Sequence, residues 1–207
     1  MPEVIDDRTI INDAFARIGA TPIFALDEDT SQARQAIAIY YPRRDALLGL
    51  WTWKFASRTY QLTQIPKTAA NGYSATKLWG NGYRHAFALP GNRLGEPRKV
   101  LIDPKMPDHP LRRFLVEESR LYADREELWG AFTVRADPQI WSPAFRLALT
   151  TLVAADLCIP ITHDRELARD LLEKGEGPPE ADGRGGLIGR AIAADVSGSP
   201  GQAPLQM

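Results

Sequence analysis

The stretch IWSPAFRLALTTLVAADLCIPI, residues 140–161, constrains this chain more than any other. From 144 to 161 only Arg146, Thr150, Thr151 and Asp156 interrupt an apolar run. A helix of that composition has almost no face that favours water, so other elements must enclose it. The polar interruptions mark it as the central helix of a soluble core and not a membrane span. Ser142 suits the cap position, Pro143 the first turn, and Pro160 the stop. Asp156 is the carboxylate with a buried position. It is expected to pair with an arginine or to face a subunit boundary.

Further helices are needed to cover that one. Ile10, Ile11, Ala14, Phe15 and Ile18 recur at helical spacing, with Asp6 or Asp7 before them and Gly19 after. A second helix is expected over 31–50, capped by Thr30 or Ser31, with a stripe of Ala33, Ile37, Tyr40, Leu47, Leu48 and Trp51. Pro42 is expected to kink or split it near Ala38–Tyr41. The cluster Trp51, Trp53, Phe55 reads as core at its end. A last helix is expected after Thr162, with Asp164 and Glu166 in its first turn, Leu167, Ala168, Leu171 and Leu172 inside, and Gly175 as its stop.

Between these helices the period changes. Tyr60 and Leu62 alternate with Thr59, Gln61 and Thr63, so a strand begins near Ser57. YRHAFALP is a second strand, with Tyr83, His85, Phe87 and Leu89 on one face. RKVLID, RRFLVEESRLYA and ELWGAFTVRA read as three more, the last two paired as a hairpin. The loop over 66–82 carries two Asn-Gly pairs that favour tight turns. Tyr73 and Trp79 lie in it with no local apolar pattern to bury them, which points to interface anchors.

The fold class expected is therefore α+β, a mainly helical bundle with an inserted antiparallel β unit and an extended C-terminal arm. The helical domain is discontinuous (1–56 and 137–175), the β-rich insertion is 57–136, and the arm is 176–207. Residues 175–207 hold eight glycines and four prolines. Their larger aliphatic residues are Leu187, Ile188, Ile192, Val196, Leu205 and Met207. Burying so few side chains does not offset the entropy of ordering that backbone. The arm is expected to order on a partner surface, with those six residues as contacts and 185–196 as a short helical hook.

Little in the chain suggests catalysis. Apolar residues make up 44% and the net charge is −1, a soluble globular composition without the basic field of a phosphate-gripping protein. The N-terminus lacks a secretory pattern, and Cys158 is alone, so a reducing cytoplasm is expected and no disulfide or multi-cysteine metal cluster. His85, His109 and His163 have no metal spacing, and no nucleophile elbow, P-loop or dinucleotide glycine pattern occurs. The acidic run Asp27, Glu28, Asp29 lacks the spacing of a calcium loop and reads as a solvated turn. A small hydrolase built from His163, Asp156 and Tyr122 is the enzymatic alternative. No cofactor and no metal are expected.

The order of patterns, INDAFARIGATPI, then RRDALLGLWTWKFASRTYQL, YRHAFALP and PAFRLALTTLVAADLCIPIT, resembles the head-to-tail adaptor of tailed bacteriophages, especially the tail tubular protein A family of short-tailed phages. The likeness spans roughly residues 8–175. It implies a structural virion protein (a connector at the head–tail junction) that assembles in the host cytoplasm. Such a protein forms a ring, usually of twelve copies, between the portal protein and the tail nozzle or tail tube. DNA passes through its lumen without sequence-specific binding. The C-terminal arm would reach the portal, and the 66–82 loop the next tail component. The family requires no cofactor and no catalytic residue. This chain departs from the pattern after Leu172, where glycines interrupt a helix that family members continue. A cytoplasmic scaffold or binding protein with a partner-ordered tail is the alternative outside that family.

Overall fold

The computed structural model describes residues 5–68, 71, 73 and 78–197. They fall into two compact units, one from the described parts of Met1–Phe55 and Ala136–Met207, the other from Ala56–Arg135. The first is helical and the second is built on antiparallel sheets, so the class is α+β.

The helical unit consists of α1 (Asp7–Arg17), α2 (Ser31–Leu50), α3 (Pro143–Leu157), α4 (Arg165–Glu176) and α5 (Gly186–Ser197). By length and composition Pro143–Thr162 would suffice to cross a membrane. Here α3 is enclosed instead, with α1, α2, α4 and α5 all packed against it. Phe145, Ala148, Leu149, Leu152, Val153 and Leu157 are fully or almost fully buried. The starts of α1, α2, α3 and α4 are each closed by a side chain. The N–H of Thr9 donates to Asp6 at 2.7 Å, that of Ala33 to Thr30 at 3.1 Å, that of Phe145 to Ser142 at 3.2 Å, and that of Leu167 to Asp164 at 2.9 Å. Caps of this kind contribute about 1 kcal/mol each. An aromatic knot locks the start of α3: Trp53, Phe55 and Trp141 surround Phe145 with ring centroids 4.9, 5.0 and 5.2 Å away. The Trp53 indole donates to the Leu47 carbonyl at 2.8 Å, so its one polar atom is satisfied inside the core.

Several local expectations are corrected. Pro42 does not split α2, which runs unbroken from Ser31 to Leu50. The carbonyl left without its helical partner is that of Ala38, an exposed residue. Pro160 lies inside a π-helical turn, Cys158–Thr162, that ends on His163 at φ 58°. The Thr162 hydroxyl donates back to Cys158, so Asp164 caps α4 in its place. The stop of α4 is Gly177 at φ 82°, two residues beyond Gly175.

The main correction concerns the C-terminal arm. The helical hook expected over 185–196 is present as α5, but residues 176–197 are not an extended arm and the hook docks on its own helical unit. A 3-10 turn at Pro179–Ala181 reverses the chain, and α5 folds back onto α3 and α4. Leu187, Ile188 and Ala191 are buried there. The glycines explain why this is possible. The N–H of Gly185 donates to the Glu176 carbonyl at 2.8 Å, so backbone meets backbone. A Cβ on Gly177 would lie 2.7 Å from the Gly186 nitrogen, and one on Gly186 2.5 Å from the Lys174 carbonyl oxygen. These glycines permit a close chain crossing that any side chain would block. The far end of α5 is tied as well, since the Lys54 N–H donates to Asp195 at 3.2 Å.

The β unit contains β1 (Ser57–Gln61), β2 (Thr63–Gln64), β3 (His85–Ala88), β4 (Arg93–Leu101), β5 (Leu115–Glu117), β6 (Arg120–Ala123) and β7 (Trp129–Val134). One antiparallel sheet has the order β1-β7-β4 and the other β2-β3-β6-β5. Leu62, Phe87, Val100, Leu121, Leu128 and Phe132 form the core from residues of both. RRFLVEESRLYA is a hairpin and not one strand: Glu118 turns at φ 54°, and β5 pairs with β6 through Val116 and Leu121. The hairpin expected between it and the following strand is absent, because β6 and β7 belong to different sheets. Phe87 of β3 and Leu89 just after it enter that core, while Ala86 is buried in a second cluster with Trp79 and Tyr122.

The crossing yields a direct test. Gly186→Ala places a methyl group against backbone at φ 51° and should cost about 1–3 kcal/mol. Gly183→Ala, also at positive φ but with open space around it, should cost less. Urea denaturation midpoints of the two variants give the comparison.

Candidate functional site

The residues expected to meet a partner are placed as follows. Trp79 is 3% exposed, so it is not a free anchor on a loop. It packs edge-on against Tyr73 and Tyr122, at 5.7 and 5.8 Å, and Tyr73 is half-buried beside it. The turn at Asn81-Gly82 folds back on Trp79, with the Trp79 N–H donating to the Tyr83 carbonyl and the Gly82 N–H to the Trp79 carbonyl, both at 2.8 Å. Leu187 and Ile188 are buried in their own helical unit, Ile192 is half-buried, and Val196 is 55% exposed. Leu205 and Met207 lie outside the described residues.

The three groups of the enzymatic alternative are engaged separately. Asp156 receives Nε and Nη2 of Arg43, each at 2.6 Å, and Arg43 Nη1 donates to Glu176 at 2.9 Å. This bidentate pair ties α2 to α3 and α4, and the Asp156 hydrogen bonds hold the Arg43 guanidinium charged above its ordinary range. Tyr122 is buried in the β unit. His163 is exposed in its left-handed turn. Burial pushes the Cys158 thiol up, away from nucleophilic thiolate character. Among the described residues no three His, Cys, Asp or Glu side chains gather as a metal site.

Two surface features of the helical unit lie outside the partner contacts expected from the sequence. The first is a groove of about 650 Å³ over α2, the end of α3 and α4. Its walls are Ala38, Ile39, Pro42, Ala46, Ile159 and Leu172, with Arg165 and Arg169 at the rim. Ile159 is 51% exposed in the π turn, which lifts it out of the register it would hold in a regular helix. Small residues on α2 leave the floor open. Neither Arg165 nor Arg169 makes an ion pair with a described residue.

The second feature is the turn between α1 and α2. Phe24 at its tip is 87% exposed, more than any other large apolar residue described. Its backbone is nevertheless pinned. The Arg8 guanidinium donates to the Phe24 carbonyl at 2.8 Å, and the Phe24 N–H donates to Glu28 at 2.8 Å. Asn12 clamps both backbone groups of Ile23, at 2.9 and 3.0 Å. The Thr30 hydroxyl donates to the other Glu28 oxygen at 2.9 Å. The backbone N–H of Phe24, with the Thr30 hydroxyl second, holds the Glu28 carboxyl below its usual 4.5. The acidic run is thus divided in role: Glu28 organises the turn, while Asp27 and Asp29 stay exposed.

No protein-family model matches the chain, and no curated protein matches it.

Two measurements follow from this geometry. Asp156→Asn removes a charge-assisted pair at a half-buried position and should cost about 1.5–3 kcal/mol in denaturant unfolding. The Glu28 bond is present above the carboxyl's usual 4.5 and is lost as pH falls through its lower folded value. Amide exchange at Phe24, corrected for intrinsic pH dependence, should therefore accelerate below pH 4.5, and Glu28→Gln should show the faster exchange already at neutral pH.

Proposed function

We propose that this chain is a structural assembly protein, a ring-forming head-to-tail adaptor that joins a portal to a phage tail and contributes to the DNA channel. The observation that carries the reading is the architecture: a discontinuous helical bundle interrupted by an antiparallel β unit. The sequence patterns that resemble the tail tubular protein A family fall on this framework in order. INDAFARIGATPI covers most of α1, WTWKF supplies the aromatic knot, and PAFRLALTTLVAADL is α3. The half-buried charges suit a structural role, because Arg43, Asp156 and Glu176 hold helices together.

The mechanism is assembly. Copies pack side by side through their helical units, and the β unit engages the next tail component. The near-neutral chain suits a conduit that does not grip its cargo. Because α5 is docked on its own bundle, portal contact falls to the exposed side of α5 around Val196 and to the chain that follows it.

Native mass spectrometry of the purified chain, alone and with the portal protein of the same genome, tests this. A monomer or small oligomer alone that becomes about twelve copies on the portal ring is the expected result. A form ending at Ser197, which keeps α5, should bind the portal more weakly. No association of the full chain with the portal overturns the adaptor reading.

A further inference from the structure

We propose that copies of this chain join head to tail by seating Phe24 of one copy in the apolar groove of the next. The inference rests on the ring-forming reading and names the contact that would build the ring.

Three observations carry it. First, Phe24 is an aromatic held out in solvent by a turn that is already ordered. The bonds from Arg8, Asn12 and Glu28 fix its backbone before any partner arrives, so little entropy remains to be lost on docking. Exposed aromatics that fill a pocket dominate interface energetics. Second, the groove is largely apolar, open and unfilled by any described residue. Phe24 does not line it, and neither does any residue between α1 and α2. Third, the surroundings are complementary in charge. Asp27 and Asp29 are exposed in the same α1–α2 turn as Phe24, with Asp29 sharing Arg34 in an exposed pair at 3.3 Å. Arg165 and Arg169 line the groove without an acidic partner among the described residues, while Arg43 and Asp156, also lining it, satisfy each other.

A projection and a cavity at different places on one molecule make a heterologous contact. Repeated copies then extend as a ring or a filament instead of stopping at a two-fold dimer. The acid–arginine pairs fix which way the next copy faces and speed encounter, and the buried ring supplies the hold.

Sedimentation velocity from micromolar to millimolar concentration, at low and high salt, reads this contact. Wild-type chain should form species larger than a dimer, and fewer of them at high salt. Phe24→Ala and Ala38→Glu each change an exposed position, so both should keep the wild-type far-UV spectrum. Each should weaken self-association roughly thirtyfold. The decisive arm mixes the two variants. Phe24→Ala retains a working groove and Ala38→Glu retains a working turn, so together they should give a one-to-one dimer that grows no further. A monomeric wild type at millimolar concentration, association that stops at a dimer, or a Phe24→Ala chain that assembles normally overturns the inference. The portal experiment separates the two claims. Portal binding by a Phe24→Ala chain with wild-type copy number sinks this contact and spares the adaptor reading. Self-assembly through Phe24 without portal binding does the reverse.

Discussion

Everything in the helical unit depends on enclosing α3. Its apolar surface runs nearly all the way round, and no two neighbours could cover it. Four helices do so, drawn from both ends of the chain. The need for that cover explains features that look unrelated. Gly175 is buried because a Cβ there would lie 2.6 Å from the Leu152 side chain, so α4 can approach α3 closely. Arg43 reaches the one carboxylate of α3 and neutralises it at the helix surface. The aromatic knot around Phe145 closes the end at which the β unit is inserted.

The central helix, the caps at Asp6 and Ser142, and the onset of β1 at Ser57 are written locally, in spacing and in cap chemistry, and a reader of the sequence finds them. The course of residues 176–197 is not written that way. Counting glycines as loss of order treats each as a liability of the backbone alone. In the fold, Gly177, Gly185 and Gly186 are where two stretches of backbone touch, and the closeness they allow is what brings Ile188 and Ala191 onto α3. That contact is a relation between distant residues, and no window of sequence displays it. Strand grouping failed for the same reason. The alternation in RRFLVEESRLYA and ELWGAFTVRA identifies strands, but only the turn at Glu118 decides which partner each takes.

The candidate contact surfaces divide along the same line. Trp79 looked free because nothing near it in sequence could cover it, yet Tyr122, far along the chain, does. Phe24 sits in ATPIFALDED, a stretch with neither helical nor strand periodicity that joins two helices. A signal existed in hindsight of the geometry: a large aromatic beside three acids, with no apolar partner at helical or strand spacing. The groove had no such signal. It arises from small residues on α2 facing a π turn at Pro160, and depth between helices is a property of their packing.

The insertion of the β unit has a consequence for how the molecule is made. During synthesis α1 and α2 emerge first, and the whole β unit follows before α3 appears. The two early helices therefore wait, with Ile11, Phe15, Tyr40 and Leu48 uncovered, for a partner still inside the ribosome. The β unit draws its strands from one continuous stretch and can close in the meantime. The helical unit closes last, on contacts between residues far apart in the chain, which is the slow kind of folding step. The order of translation thus gives the β unit a second part to play. It acts as a timer that separates the birth of the first two helices from the moment their core becomes possible.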